Sequence, residues 1–301
     1  GSSNGTVNHC AGCYFVIRHL CIIGVGLIGS SLSLALKQSG FVDRVSGCGR
    51  NESNLQKGVE LGVLDDYSVD PAIAAKGADV ILLAVPLGAM KSVLIDIQPV
   101  IGAETIITDV GSAKASVTRD ARLVLGDRIG QFVGGHPIAG TEQSGVEAGF
   151  PSLYQDRKII LTPEQDTLTS AVDEVTAMWQ ATGAIVERMS VEHHDTVLAA
   201  TSHLPHMLAF SLVSHLSKMS DQDEIFNYAA GGFRDFTRIA SSDPVMWRDI
   251  CLANSEALMR LIDGYQKELD LVKLAIADKN PDKLFELFRD AKHTRDQLRN
   301  L

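Results

Sequence analysis

The sequence predicts an α/β protein in two parts: a doubly wound sheet through residues 15–189 and an all-helical half through residues 190–301. Three observations carry that division. Short apolar runs recur through the first 190 residues at the spacing of strand–helix–strand units. One of these runs leads straight into a glycine-rich turn that opens a helix. After Ser190 the strand-like runs cease and long amphipathic stretches replace them. At 301 residues the chain has the length for two ordinary cores.

The first strand, around 20–23 (LCII), is followed by Gly24, Gly26 and Gly29 in the pattern G-x-G-x-x-G, and a helix is expected from there to Gly40. The three glycines serve different ends: a tight turn at Gly24, close approach of a pyrophosphate at Gly26, and close helix–strand packing at Gly29. The unpaired N–H groups at the helix start then face the phosphates. Leu27 and Ile28 within the turn, with Val85 and Pro86 at the end of a later strand, are assigned to the same dinucleotide. The second strand is expected at 44–48. In dinucleotide folds its end normally offers an Asp or Glu to the ribose 2′-hydroxyl, whereas "GCGRNES" offers Arg50 and Ser53. An arginine suits a 2′-phosphate, so the sequence favours NADP, with NAD as the alternative.

Further strands are expected at 79–85, 105–109, 131–135, 158–162 and 184–188. The apolar run at 80–85 suits a strand covered on both faces. Rossmann-type sheets bind ligands outside the carboxyl ends of their strands, and "QFVGGHPIAGTEQSG" puts His136 at such an end. The two glycines before it read as clearing bulk so that a ligand can reach the ring, whose neutral form accepts a proton near neutral pH. "TDVGSAKAS" closes the preceding strand. Ser112 there either orients a substrate hydroxyl or His136, or caps the next helix. Lys114 is open between acid–base chemistry and charge balance.

In the second half, 191–217 reads as one long helix kinked at Pro205. Ser202 and His206 lie one turn apart on one face, while His193 and His194 read as a solvated helix start. Asp243 with Pro244, and Asn280 with Pro281, each mark a helix start. Leu284, Phe285, Leu287 and Phe288 then form an apolar stripe. Such helices point to a homodimer through this half. "AAGGFRDFTRIASSDPVMWRD" gathers Arg234, Arg238, Arg248 and Trp247. An arginine here suits a carboxylate clamp, and spacing does not choose among the three.

The net charge of −10, with no Lys/Arg run, argues against nucleic acid or an anionic membrane as partner. The apolar stretch 80–90 is broken by Pro86 and Gly88 and is too short to span a bilayer. No secretory leader is visible, and five scattered cysteines suit a reducing cytoplasm. The opening "GSSNGTVNHCAG" reads as a flexible leader, its Cys10 and Cys13 as an incidental pair. His203 and His206 have no carboxylate or cysteine at ligand spacing, so no metal is expected.

Taken together, "GVGLIGSSL", "DVGSAKAS", "GGHPIAGTEQSG", "SHLPH" and "GGFRDFTRIASSDPVMWRDI" resemble the prephenate/arogenate (cyclohexadienyl) dehydrogenase family of tyrosine biosynthesis, over residues 20–250. The resemblance implies a Rossmann domain, a helical dimerisation domain and an active site between them. It implies that His136 is the catalytic histidine and that Ser112 assists it. It selects Arg238 for the substrate carboxylate, with His206, Ser202, Thr141 and Trp247 lining the pocket. The implied reaction is NAD(P)-dependent oxidative decarboxylation of a small anionic cyclohexadienol, in the cytoplasm and without a metal. Some relatives carry a regulatory domain or a fused enzyme, and neither is expected within these residues. A β-hydroxyacid or imine-reducing dehydrogenase, or a non-catalytic NADP sensor, would leave the His136 and Arg238 motifs without a use.

Overall fold

A computed structural model of the protein describes residues 16–141 and 143–298; the expected leader and its cysteine pair lie outside them. The described chain divides into two compact units. One comprises residues up to 195 together with 241–253, and the other residues 196–240 and 254 onward. The first unit therefore takes in a stretch of the half expected to be purely helical.

The first unit is built on eight strands: β1 (Ile17–Ile23), β2 (Val42–Cys48), β3 (Asp66–Ser68), β4 (Val80–Leu83), β5 (Ile106–Asp109), β6 (Phe132–Pro137), β7 (Lys158–Thr162) and β8 (Ile185–Arg188). Their order across the sheet is β3-β2-β1-β4-β5-β6-β7-β8. Strands β1 to β6 are parallel, as expected of a doubly wound sheet, but β7 runs antiparallel to β6 and parallel to β8. The reversal follows from the connection: among the described residues of 138–157 there is a 3-10 turn, Val146–Ala148, and no crossover helix.

Both faces of the sheet are covered, and side chains alternate between two cores. Leu20, Ile22 and Leu82 join a core with Tyr154 and Trp179, while Cys21, Ile23, Ile81 and Leu83 join one with Met90 and Leu94. This is why 80–85 reads as an almost unbroken apolar run.

In the second unit the expected kink takes a specific form. The helix Val191–Leu198, which begins in the first unit, passes through a π-helical turn, Ala199–His203, into the helix Leu204–Leu216, with Pro205 in its first turn. A widened turn of this kind accommodates the proline ring and its missing donor. By length and hydropathy Val191–Leu216 could cross a membrane, a stretch that the sequence reading of 80–90 overlooked. The helices Ser255–Ala277 and Pro281–Gln297 follow, the second capped by Asn280, whose side chain accepts the Lys283 N–H at 3.0 Å. Met259, Leu269, Leu274, Ile276, Phe285 and Phe288 are exposed on them, so half of the expected stripe faces outward.

Candidate active site

The glycine turn separates the three roles expected of it. At Gly24 (φ +102°) a Cβ would lie 2.2 Å from the Ala84 carbonyl oxygen, so only glycine can turn there beside the end of β4. Around a Cβ on Gly26 nothing lies within 4 Å, leaving an open cradle, whereas on Gly29 it would meet Gly24 and Ile22 at 2.7 Å. No side chain caps the helix Leu27–Ser39, which leaves its first N–H groups to an anion. These residues fit the pyrophosphate of a dinucleotide. Leu27 is buried and Ile28 half-buried, and Val85 lies beside the turn with exposed Pro86 after it. Arg50 is exposed beyond β2. Ser53 donates at 2.7 Å to Asn51, whose side chain caps the helix Glu52–Glu60.

His136 lies inside β6, opposite Ile160 of β7, and is 8% exposed. Strand β5 pairs with β6 through Phe132 and Val133, so His136 stands beyond those paired residues, at the carboxyl end of the parallel part of the sheet. Nδ1 of His136 is 2.8 Å from Nε2 of His194, and Nδ1 of His194 is 2.7 Å from Oδ1 of Asp195. The Asp195 carboxylate also accepts the N–H groups of Lys114 (2.7 Å) and Ala115 (2.9 Å), where the helix Ala115–Leu125 begins.

This chain of bonds fixes the tautomers. Burial raises the Asp195 carboxyl, but the bonds from His194, Ala115 and Lys114 prevail and hold it below the usual carboxylate range. Burial pushes the His194 ring below the usual histidine range, against the pull of Asp195 and with some help from the Lys114 charge, so the ring is neutral. A carboxylate only accepts, so His194 carries its proton on Nδ1, and its Nε2 accepts from Nδ1 of His136. The basic lone pair of His136 is therefore on Nε2.

His194 is thus not a solvated helix start: it is fully buried, while His193 beside it is exposed. The first helical turn aims positions 194 and 195 at the buried start of the helix Ala115–Leu125.

The glycines before His136 also have a different purpose from the one the sequence suggested. A Cβ on Gly134 would lie 2.5 Å from Thr162 Oγ1, and one on Gly135 would lie 2.7 Å from the Asp109 carbonyl oxygen. The space they clear is filled by the protein itself. Lys114, 0% exposed, pairs with the Asp109 carboxylate and donates to the Gly135 carbonyl at 2.7 Å. Asp109 in turn accepts the N–H groups of Gly111 (2.8 Å) and Gly135 (3.1 Å). Burial pushes the Lys114 amine below its ordinary range, against the attraction of Asp109. Lys114 is a brace that locks β6 to the end of β5. Removing one partner of such a pair typically costs about 3–5 kcal/mol.

Ser112 is half-buried in the loop between β5 and that helix. The capping role is not its own, since no side chain of the loop caps the helix and Asp195 takes the N–H groups. Thr141 is exposed and accepts the Gln143 N–H at 3.2 Å. Trp247, 7% exposed, belongs to the sheet-bearing unit. Ser202, His206 and Arg238 belong to the helical unit. There His206 donates from Nδ1 to the Ser202 carbonyl at 2.8 Å. Burial lowers the His206 ring, the Ser202 bond opposes this, and the Arg238 charge lowers it further. The sequence reading missed Asp109, His194 and Asp195. The only linear trace of the last two is the "HHD" opening a helix.

Residues 32–188 match the family model for the prephenate dehydrogenase nucleotide-binding domain, and residues 190–290 that for its dimerization domain. The chain is 39% identical over 282 residues to a cyclohexadienyl dehydrogenase of Zymomonas mobilis, covering 93% of this chain and 96% of that one. It is 38% identical to a prephenate dehydrogenase of Bacillus subtilis, covering 93% of this chain and 76% of the relative. Among solved structures, prephenate dehydrogenase from A. aeolicus, in complex with hydroxyphenyl propionate and NAD+, superposes with a TM-score of 0.87 at 38% identity, covering 94% of this chain and 98% of that one. With both of its domain models matched in order, the chain belongs to the prephenate dehydrogenase family.

Proposed function

We propose that this protein is an NAD(P)-dependent dehydrogenase that oxidatively decarboxylates prephenate, arogenate or both, giving 4-hydroxyphenylpyruvate or tyrosine, and that it works as a cytoplasmic homodimer. The observation that carries the reading is the hydrogen-bonded chain from Asp195 through His194 to His136, in the unit that holds the glycine cradle. Matched relatives named cyclohexadienyl and prephenate dehydrogenase support the substrate class.

Bound at the glycine turn, the dinucleotide supplies the acceptor for the hydride that leaves the substrate's carbinol carbon. His136 takes the hydroxyl proton on Nε2, and His194 with Asp195 stabilises the imidazolium that forms. The carbonyl so created lies across the ring from the substrate's carboxylate. When the bond to CO2 breaks, its electron pair enters the ring and makes it aromatic, and the carbonyl oxygen, now a phenolate, takes back a proton to become the phenol hydroxyl. Ser112 orients the reacting hydroxyl, and Arg238 holds a substrate carboxylate as a charge-assisted bidentate partner. Ser202, His206, Thr141 and Trp247 complete the pocket.

The test is a four-way assay of each substrate with each cofactor, read as reduced nicotinamide. Turnover of at least one pair is expected, with NADP preferred because Arg50 stands where an acid would select NAD. Arg50→Ala should narrow that preference, and Arg238→Ala should raise KM for the substrate by about tenfold or more. No reduction with any pair overturns the assignment.

A further inference from the structure

The chemistry of the site does not explain the path of the chain between its two units. Residues 241–253 belong to the sheet-bearing unit, although the stretches before and after them belong to the helical one. Most of this excursion is the helix Pro244–Ala253, which buries Trp247, Asp249 and Ile250. Trp247 and Ile250 bring apolar area. Asp249, 9% exposed, brings a carboxylate that needs partners.

It has two. Oδ1 accepts from Arg248, with Nε at 2.8 Å and a terminal nitrogen at 2.7 Å. Oδ2 accepts the backbone N–H of Gly88 at 3.2 Å, across 161 residues of chain. Gly88 lies in the first turn of the helix Leu87–Ile97, where Pro86 at the cap position has no side chain to offer the N–H groups. A carboxylate there satisfies an orphan donor and meets the positive end of the helix. The fit is close, since a Cβ on Gly88 would stand 2.8 Å from Oδ2. Two positions before Asp249 is Trp247, and Pro86 and Val85 come just before Gly88.

We propose that Asp249 is a positioning residue: through Gly88 it fastens the 241–253 excursion, and with it Trp247, to the start of the helix that follows β4. Asp249 acts through its neighbours and touches neither cofactor nor substrate. The role in turnover rests on the dehydrogenase reading; the docking of Trp247 does not.

Three variants of the full-length protein test this: Asp249→Ala, Asp249→Asn and Gly88→Ala. The protein has two tryptophans, and Trp179 is wholly buried, so acrylamide quenching of the fluorescence reports Trp247. Asp249→Ala is expected to increase quenching, red-shift the emission and raise the substrate KM by about tenfold, the scale of one charge-assisted bond, with little change in kcat. Asp249→Asn, which keeps an acceptor for Gly88 but gives up the charge, falls between the parent and the alanine variant on both readouts. Gly88→Ala behaves like Asp249→Ala, because its methyl displaces the carboxylate. Unchanged quenching in Asp249→Ala overturns the proposal, as does an Asp249→Asn as impaired as the alanine variant. If Asp249→Ala does not fold, Asp249→Asn and Gly88→Ala still decide it by the same two readouts. Increased quenching without a KM change retains the docking and refutes its part in the reaction.

Discussion

An imidazole serves as a base through one of its two nitrogens, and the bond from His136 to His194 selects which one. His136→Ala is expected to lower kcat by about 10²–10⁴, the usual contribution of a general base, while cofactor affinity measured by titration stays near the parent value. Retained kcat would remove His136 from the reaction. Asp195→Asn leaves a side chain of the same shape but removes the charge that orders both rings. A loss of at least about tenfold in kcat is expected, with cofactor KM unchanged. His136 was legible in the sequence because it stands at a strand end in a recognisable run. His194 was not, because a pair of adjacent histidines at a helix start says nothing of which one faces inward. That depends on where a second helix begins, some 80 residues earlier in the chain.

Strand β6 connects the site to the fold. Its two glycines let β5, β7 and the Lys114 side chain close in around it, so this element tolerates less bulk than its sequence suggests. Gly135→Ala would drive a methyl against the Asp109 carbonyl oxygen. It is expected to cost about 1–3 kcal/mol in urea unfolding, as overpacking does, and to lower kcat because the same strand carries His136. An unchanged midpoint would show that the neighbouring strand yields easily. Seven of the eight strands were readable as short apolar runs. The exception, β3, is three half-buried residues, "DYS", with no periodicity to detect. The direction of β7 was hidden for a different reason: an apolar run looks the same in either direction, and only the missing crossover helix betrays the reversal.

For the whole molecule, the exposed apolar side chains of the helices Ser255–Ala277 and Pro281–Gln297 are the feature to explain. A second copy covers them on the homodimer reading. Sedimentation should give twice the chain mass, and Phe285→Glu with Phe288→Glu should shift the protein toward the monomer. A parent protein that sediments as a monomer would refute that reading. Strand signals that stop near residue 190 are what the sequence offers for a division, whereas the structure divides after residue 195 and brings 241–253 back to the first unit; that return was not legible, since an amphipathic helix does not name the surface it covers. That return bears on gene shuffling among relatives. A single crossover at residue 190 would join one parent's Gly88 to another parent's Asp249, so hybrids are better made with three junctions, near 195, 240 and 253.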